Sequence, residues 1–205
     1  MAGRVGRPKQ KGRETAILSA AFQEFADKGF DAARLDEVAA HAGVAKGTLY
    51  LYFDSKEALF EAAVRSRVRP VLGRITRLAE YYPGPTRFLL KMIFRLMYRR
   101  LDERGGELRS VMRIMISEGQ RFPALTKFYH REFIQPMLNA IKVIVDKGIA
   151  RGELRPGAAT QLPMVLIGPG VMAQIWMMTF QPHEPLDMDK FYEAHIDLIM
   201  NGISS

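Results

Sequence analysis

At 205 residues, 48% of them apolar, the chain is long enough for a small helical domain and a larger one with its own core. It contains no cysteine, which excludes disulfides and thiolate metal sites, and no apolar run reaches the length that a bilayer-spanning helix needs. The expected setting is the cytoplasm, without a membrane partner. The formal net charge of +8 is concentrated in residues 61–116, which hold 13 basic and 5 acidic residues.

Residues 1–13, MAGRVGRPKQKGR, carry Arg4, Arg7, Lys9, Lys11 and Arg13 with no acid, three glycines and Pro8. Such a segment is expected to be a flexible basic arm. Arg4 and Arg7 suit insertion into a narrow minor groove beside a main DNA site, and a solubilising tail is the alternative. The apolar core of a signal peptide is missing.

From residue 14 to 60 the pattern is helical. Ile17, Leu18, Ala21, Phe22 and Phe25 form one apolar stripe that stops at Lys28-Gly29, a helix C-terminal signal. Leu35, Val38, Ala39 and Ala42 then recur at i, i+3, i+4 and i+7. Gly43 follows, where a tight turn between two helices favours a residue that takes positive φ at low cost. Val44 and Leu49 anchor a short second helix and leave Lys46, Gly47, Thr48 and Tyr50 facing outward as readers of DNA. A generic helical hairpin with Gly in its loop is the competing reading of the bare pattern. Asp54-Ser55-Lys56-Glu57 supplies an N-cap and first-turn acid before Leu59, Phe60, Ala63 and Val64 open a further amphipathic helix.

Residues 61–205 read as a second, larger helical domain. Arg65, Arg67, Arg69, Arg74 and Arg77 follow the fourth helix, and the arginines continue to Arg113; solvated helix faces are the default for most of them. After the break at Tyr81-Tyr82-Pro83-Gly84-Pro85, one helix is marked by Phe88, Leu89, Met92, Ile93 and Leu96. Another is marked by Leu108, Val111, Met112 and Met115. A long amphipathic element spans Leu125 to Lys147, with a kink expected at Pro136. A linker from Arg151 to Gly157 leads to two last helices, at about 159–180 and 188–202. Gly168-Pro169-Gly170 is expected to interrupt the first of these. No β alternation persists.

The run from Ile17 to Val64 resembles the N-terminal DNA-binding domain of the TetR family of transcriptional regulators. Its most specific part is Gly43-Val44-Ala45-Lys46-Gly47-Thr48-Leu49-Tyr50-Leu51-Tyr52-Phe53, followed by Ser55-Lys56-Glu57-Ala58-Leu59. Family members often carry Ser or Thr where this chain has Ala45, and Thr where it has Ala33-Arg34, so two N-caps are lost. The resemblance implies that Lys46, Gly47, Thr48 and Tyr50 approach base edges and phosphates. Tyr52 and Lys56 would contact the backbone at the flank, although Tyr52 is as readily core, and Arg34 is a further DNA-binding candidate. Looser similarity at Glu118-Gly119-Gln120-Arg121-Phe122-Pro123 extends to the AcrR-like branch.

The resemblance further implies an all-α architecture in which the second domain binds a small-molecule effector and forms a homodimer. Met92, Leu96, Met112, Met115, Phe133 and Trp176 are the candidate effector pocket, with ordinary core filling as the alternative for the methionines. Val165, Met172, Ile175, His195, Leu198 and Ile199 are the candidate dimer interface, and Trp176 suits either. His41, His130, His183 and His195 lack metal-ligand spacing or a nucleophile partner, so neither an enzyme, a cofactor nor a metal is expected. The expected function is that of a regulator, a repressor by family tendency, that binds double-stranded operator DNA. It would be released by a small apolar or amphipathic effector of unknown identity. An architectural DNA-binding protein without effector is the alternative.

Overall fold

The computed structural model describes residues 7–102 and 106–203, without the side chains of 7–11 and 102. Among these residues there are eleven α-helices, one π turn and no β-strand. The helices are α1 (Arg7–Ala32), α2 (Leu35–His41), α3 (Lys46–Tyr50), α4 (Lys56–Tyr81), α5 (Thr86–Asp102) and α6 (Glu107–Glu118). They continue as α7 (Pro123–Tyr129), α8 (Gln135–Ala150), α9 (Ala158–Gln161), α10 (Pro163–Thr179) and α11 (Met188–Ile203). The π turn, His130–Ile134, joins α7 to α8 directly ahead of Pro136, whose missing N–H cannot continue the α ladder.

Three expectations change. Arg4 lies outside the described residues, but the part of the basic arm from Arg7 onward is helical. Pro8 stands in the first turn, where its lack of an N–H is harmless, and Lys, Gln and Arg are good helix formers. The helix expected at 159–180 is broken at Leu162 (φ −119°, ψ 83°), because Pro163 pushes the residue before it out of the α region. Pro169 does not interrupt α10.

The chain forms two compact units, Met1–Arg69 with Ser110–Tyr129, and Pro70–Arg109 with His130–Ser205. The division drawn from the sequence at residues 60 and 61 falls inside α4, which continues unbroken to Tyr81. The sequence also gives no sign that residues 110–129 pack with the N-terminal helices.

In the first unit the stripes of α1, α2 and α4 meet around Ile17, Phe25, Val38, Leu49 and Phe60, all buried. Phe30 is the hub. Its ring lies 5.8 Å from Phe25, 5.4 Å from Phe60 and 4.9 Å from Phe122, the last two edge-on, the arrangement that aromatic quadrupoles favour. The core of the second unit is built from Ile75, Leu90, Ile93, Phe94, Ile141, Ile144 and Ile199. Helix ends there are closed by charges of the matching sign. Lys147 donates to the carbonyls of Ala79 (2.7 Å) and Glu80 at the C-terminus of α4. Arg155 donates to the Gly202 carbonyl near the end of α11, and Glu153 accepts from the Thr86 N–H at the start of α5.

Candidate nucleic-acid interface

The pairing of α2 with α3 rests on one turn. Gly43 takes φ +66°, and it brings the Val44 N–H onto the Ala39 carbonyl (3.0 Å) and its own N–H onto that of Ala40 (3.1 Å). This double closure is a Schellman motif, which ends α2 abruptly and redirects the chain. Ala45 and Arg34 stand as N-caps with extended backbone and no side-chain cap bond, so both lost caps are real. By contrast Ser55 Oγ accepts from the Ala58 N–H at 3.1 Å and caps α4 as expected.

Five-residue α3 buries Leu49 and turns its remaining surface outward. Lys46 and Gly47 are exposed, Thr48 is half-buried, and Tyr50 is 51% exposed. Leu51, which sequence reasoning passed over, is 83% exposed. Lys46 pairs with Asp36 at 2.9 Å, and that carboxylate raises the lysine's affinity for its proton. Tyr52 is half-buried, its ring 6.2 Å from that of Phe53. Arg34 is exposed. Lys56 differs from expectation: its ammonium donates to the Asp31 carbonyl at 2.9 Å and sits 5.2 Å from the centre of the Phe30 ring. Burial lowers its pKa, with Asp31 and Glu118 opposing the shift.

The turn from α1 to α2 holds residues that the sequence did not single out. Gly29 (φ 83°, ψ 177°) ends the regular part of α1 in a region open essentially to glycine alone. The amides that follow are taken up by two carboxylates. Glu118 accepts from Phe30 N–H (3.0 Å) and Asp31 N–H (2.7 Å), and buried Glu24 accepts from Arg34 N–H (3.0 Å). Burial alone would raise the pKa of Glu24, but the Arg34 amide and its ion pair with Lys28 (3.0 Å) bring it below the usual value. One signal was available: Glu24 stands at a core register of α1, seven residues after Ile17 and three after Ala21.

In the second unit the candidate effector and dimer residues sort by burial. Leu96 and Phe133 pack against the core, Met92 is exposed, and half-buried Trp176 donates its indole N–H to the Glu184 carbonyl at 2.8 Å. Met112 and Met115 lie on α6 in the first unit, and the other four candidates lie in the second. Val165 (56% exposed), Met172 and Leu198 (67%) are exposed and Ile175 is half-buried. His195 and Ile199, expected at a dimer interface, are instead core residues, 3% and 5% exposed. The side of α11 that carries them faces the inside of its own unit, where His195 bonds to Tyr98 and Leu166. Beside Val165, Met164 is exposed too, and so is Leu162, which sequence reasoning left out. Among the described residues no group of histidines and carboxylates is placed to hold a metal, and no helix is long and apolar enough to cross a membrane.

A family model described as bacterial regulatory proteins of the tetR family matches residues 17–63, and one described as the tetracyclin repressor-like C-terminal domain matches residues 90–194. The chain is 32% identical to the uncharacterized HTH-type transcriptional regulator YdeS of Bacillus subtilis, over 82% of this chain and 80% of that protein. It is 24% identical to the HTH-type transcriptional repressor KstR2 of Mycolicibacterium smegmatis, over 94% and 91% of the two chains. Among solved structures, the regulator FadR from Bacillus subtilis, in complex with stearoyl-CoA, superposes with a TM-score of 0.75 at 21% identity, over 92% of this chain and 98% of that one. The helix pair with its exposed short second member, the all-helical second unit and these likenesses agree: the chain belongs to the TetR family and is a helix-turn-helix, DNA-binding transcriptional regulator.

Proposed function

We propose that the chain acts in the cytoplasm as a homodimeric repressor of a two-fold symmetric operator, with α3 of each subunit in the major groove. The observation that carries this reading is the division of labour within α3. A helix of five residues adds little as a strut, yet it buries Leu49 and presents Lys46, Gly47, Tyr50 and Leu51 to solvent. Tyr50 and Thr48 offer hydroxyls to base edges or phosphates, Gly47 permits close approach, and Leu51 suits a thymine methyl group. Arg34 and Tyr52 flank the helix and serve the DNA backbone, whereas Lys56 acts by holding the turn beside Asp31.

The dimer interface in this reading is the apolar outer face of α10 and α11, with Leu162, Val165, Met172 and Leu198 at its centre. These four side chains are exposed, and exposed large apolar side chains on neighbouring helices are typical of surfaces that a partner covers. The effector is a small apolar or amphipathic molecule, bound within the second unit beside Leu96, Phe133 and Trp176. The stearoyl-CoA in the FadR complex, an amphipathic ligand in a protein of the same fold, supports that class. Release requires the effector to bind the DNA-incompetent state more tightly than the competent one.

Selection of bound duplexes from a random pool, followed by titration against a scrambled duplex over a salt series, tests the proposal. A palindromic consensus bound by two subunits or a multiple of two is expected. Equal binding of selected and scrambled duplexes at every salt concentration would refute it.

A further inference from the structure

We propose that Glu118 is a positioning residue for DNA reading: it fixes the approach of the chain to α2 and thereby the placement of the whole helix pair. The geometry is specific. At Gly29 the regular part of α1 ends, and one carboxylate takes the next two amides, at 3.0 and 2.7 Å. A methyl group on Gly29 would overlap Glu118 Oε1, so the glycine both makes the turn and admits the carboxylate. Neighbours on α6 and beyond reinforce the grip with the opposite charge. Arg113 donates to the Ala26 carbonyl, one of those left open where α1 ends, and Arg121 pairs with the Asp31 carboxylate at 2.5 Å. Phe122 closes the same corner against Phe30.

Three residues beyond Asp31, the backbone reaches Arg34, whose carbonyl accepts from Glu37 and Val38 and so starts α2. Because α2 and α3 have no side-chain caps, their orientation depends on how the chain is delivered to them and on packing. Glu118 lies 82 residues beyond Asp36 in sequence and on no surface assigned to DNA, yet it governs that delivery.

Electrostatics and positioning predict opposite signs, which makes the idea testable. Glu118→Gln removes a negative charge from the DNA-binding unit, so a pure charge effect tightens binding to every duplex. Positioning predicts that affinity for the selected duplex falls about tenfold while binding to a scrambled duplex is unchanged or tighter. Glu118→Asp keeps the charge on a side chain one methylene shorter, and it should also lose specific affinity, with faster amide exchange at Phe30 and Asp31. Equal or improved affinity of Glu118→Gln for both duplexes, in step, overturns the proposal. So does a parallel loss on both duplexes together with lost helical circular dichroism in both variants, which would reduce Glu118 to a folding role. The unaltered protein's preference for the selected duplex is the separate check on the regulator function itself.

Discussion

The Tyr98 hydroxyl and the His195 imidazole meet at 2.8 Å inside the second unit, and the roles of both are settled by a third group. The Leu166 carbonyl, 2.9 Å from His195 Nε2, can only accept, so Nε2 carries the proton and Nδ1 accepts from Tyr98. The ring lies edge-on to Phe94 at 5.1 Å, and desolvation lowers its pKa from the usual 6.5, which favours this neutral tautomer at neutral pH. The unfolded chain then binds a proton more readily than the folded one. The stability that this group contributes is complete above pH 6.5 and falls as the pH drops through the lowered folded value, by up to about 1.4 kcal/mol per unit. Denaturant titrations from pH 8 to pH 5 should show the decline. In His195→Phe its slope should be smaller, at a cost at neutral pH of about 1–3 kcal/mol for the groups left without partners.

Tyr50 presents its ring to solvent, so removing it should leave folding intact and harm recognition alone. Tyr50→Ala is expected to weaken binding to the selected duplex by about 1–3 kcal/mol, with a thermal midpoint close to that of the unaltered protein. Leu49→Ala is the contrasting case: a buried leucine truncated to alanine should cost about 2–5 kcal/mol of stability. Parallel melts and fluorescence anisotropy separate the two.

Lys56 is engaged inside its own unit, through the Asp31 carbonyl and the Phe30 ring. Lys56→Met should lower stability by about 1–2 kcal/mol, the size of a charge-assisted hydrogen bond with its cation–π contact. The slope of log affinity against log salt should stay the same. A slope reduced by about one unit would instead mark Lys56 as a phosphate contact.

Val165→Glu combined with Leu198→Glu places charge on the exposed apolar face of α10 and α11. Sedimentation velocity should then show a monomer where the unaltered protein sediments as a dimer, with operator binding lost and helical content retained. If both proteins sediment as dimers, this face is not the interface.

The helix-turn-helix was readable because its signals are local. The spacing of Leu35, Val38 and Ala39, the glycine at 43 and the cap at Ser55 each act within a few residues, and the turn took the conformation that Gly43 implied. Pro163 also acts locally, on the residue before it, yet the apolar run across it hid the break. Burial on α11 was less legible: Leu198 and Ile199 are adjacent in sequence, but successive helical residues point about 100° apart, so one is exposed and the other is core. Least legible was the packing of residues 110–129 with the N-terminal helices. No sequence pattern announces a partner some 87 residues away, as in the bond from Glu118 to Asp31.

That distant partnership limits how this protein can be cut and recombined. A fragment ending at Phe60 or Arg69 would strip Phe122 from the Phe30 ring and leave the Phe30 and Asp31 amides without their carboxylate. Chimaeras that exchange DNA specificity between relatives would need to transplant two separate stretches, the N-terminal helices and residues 110–129, as one inheritance. What looks in sequence like a detachable N-terminal module is, in folding terms, a discontinuous one.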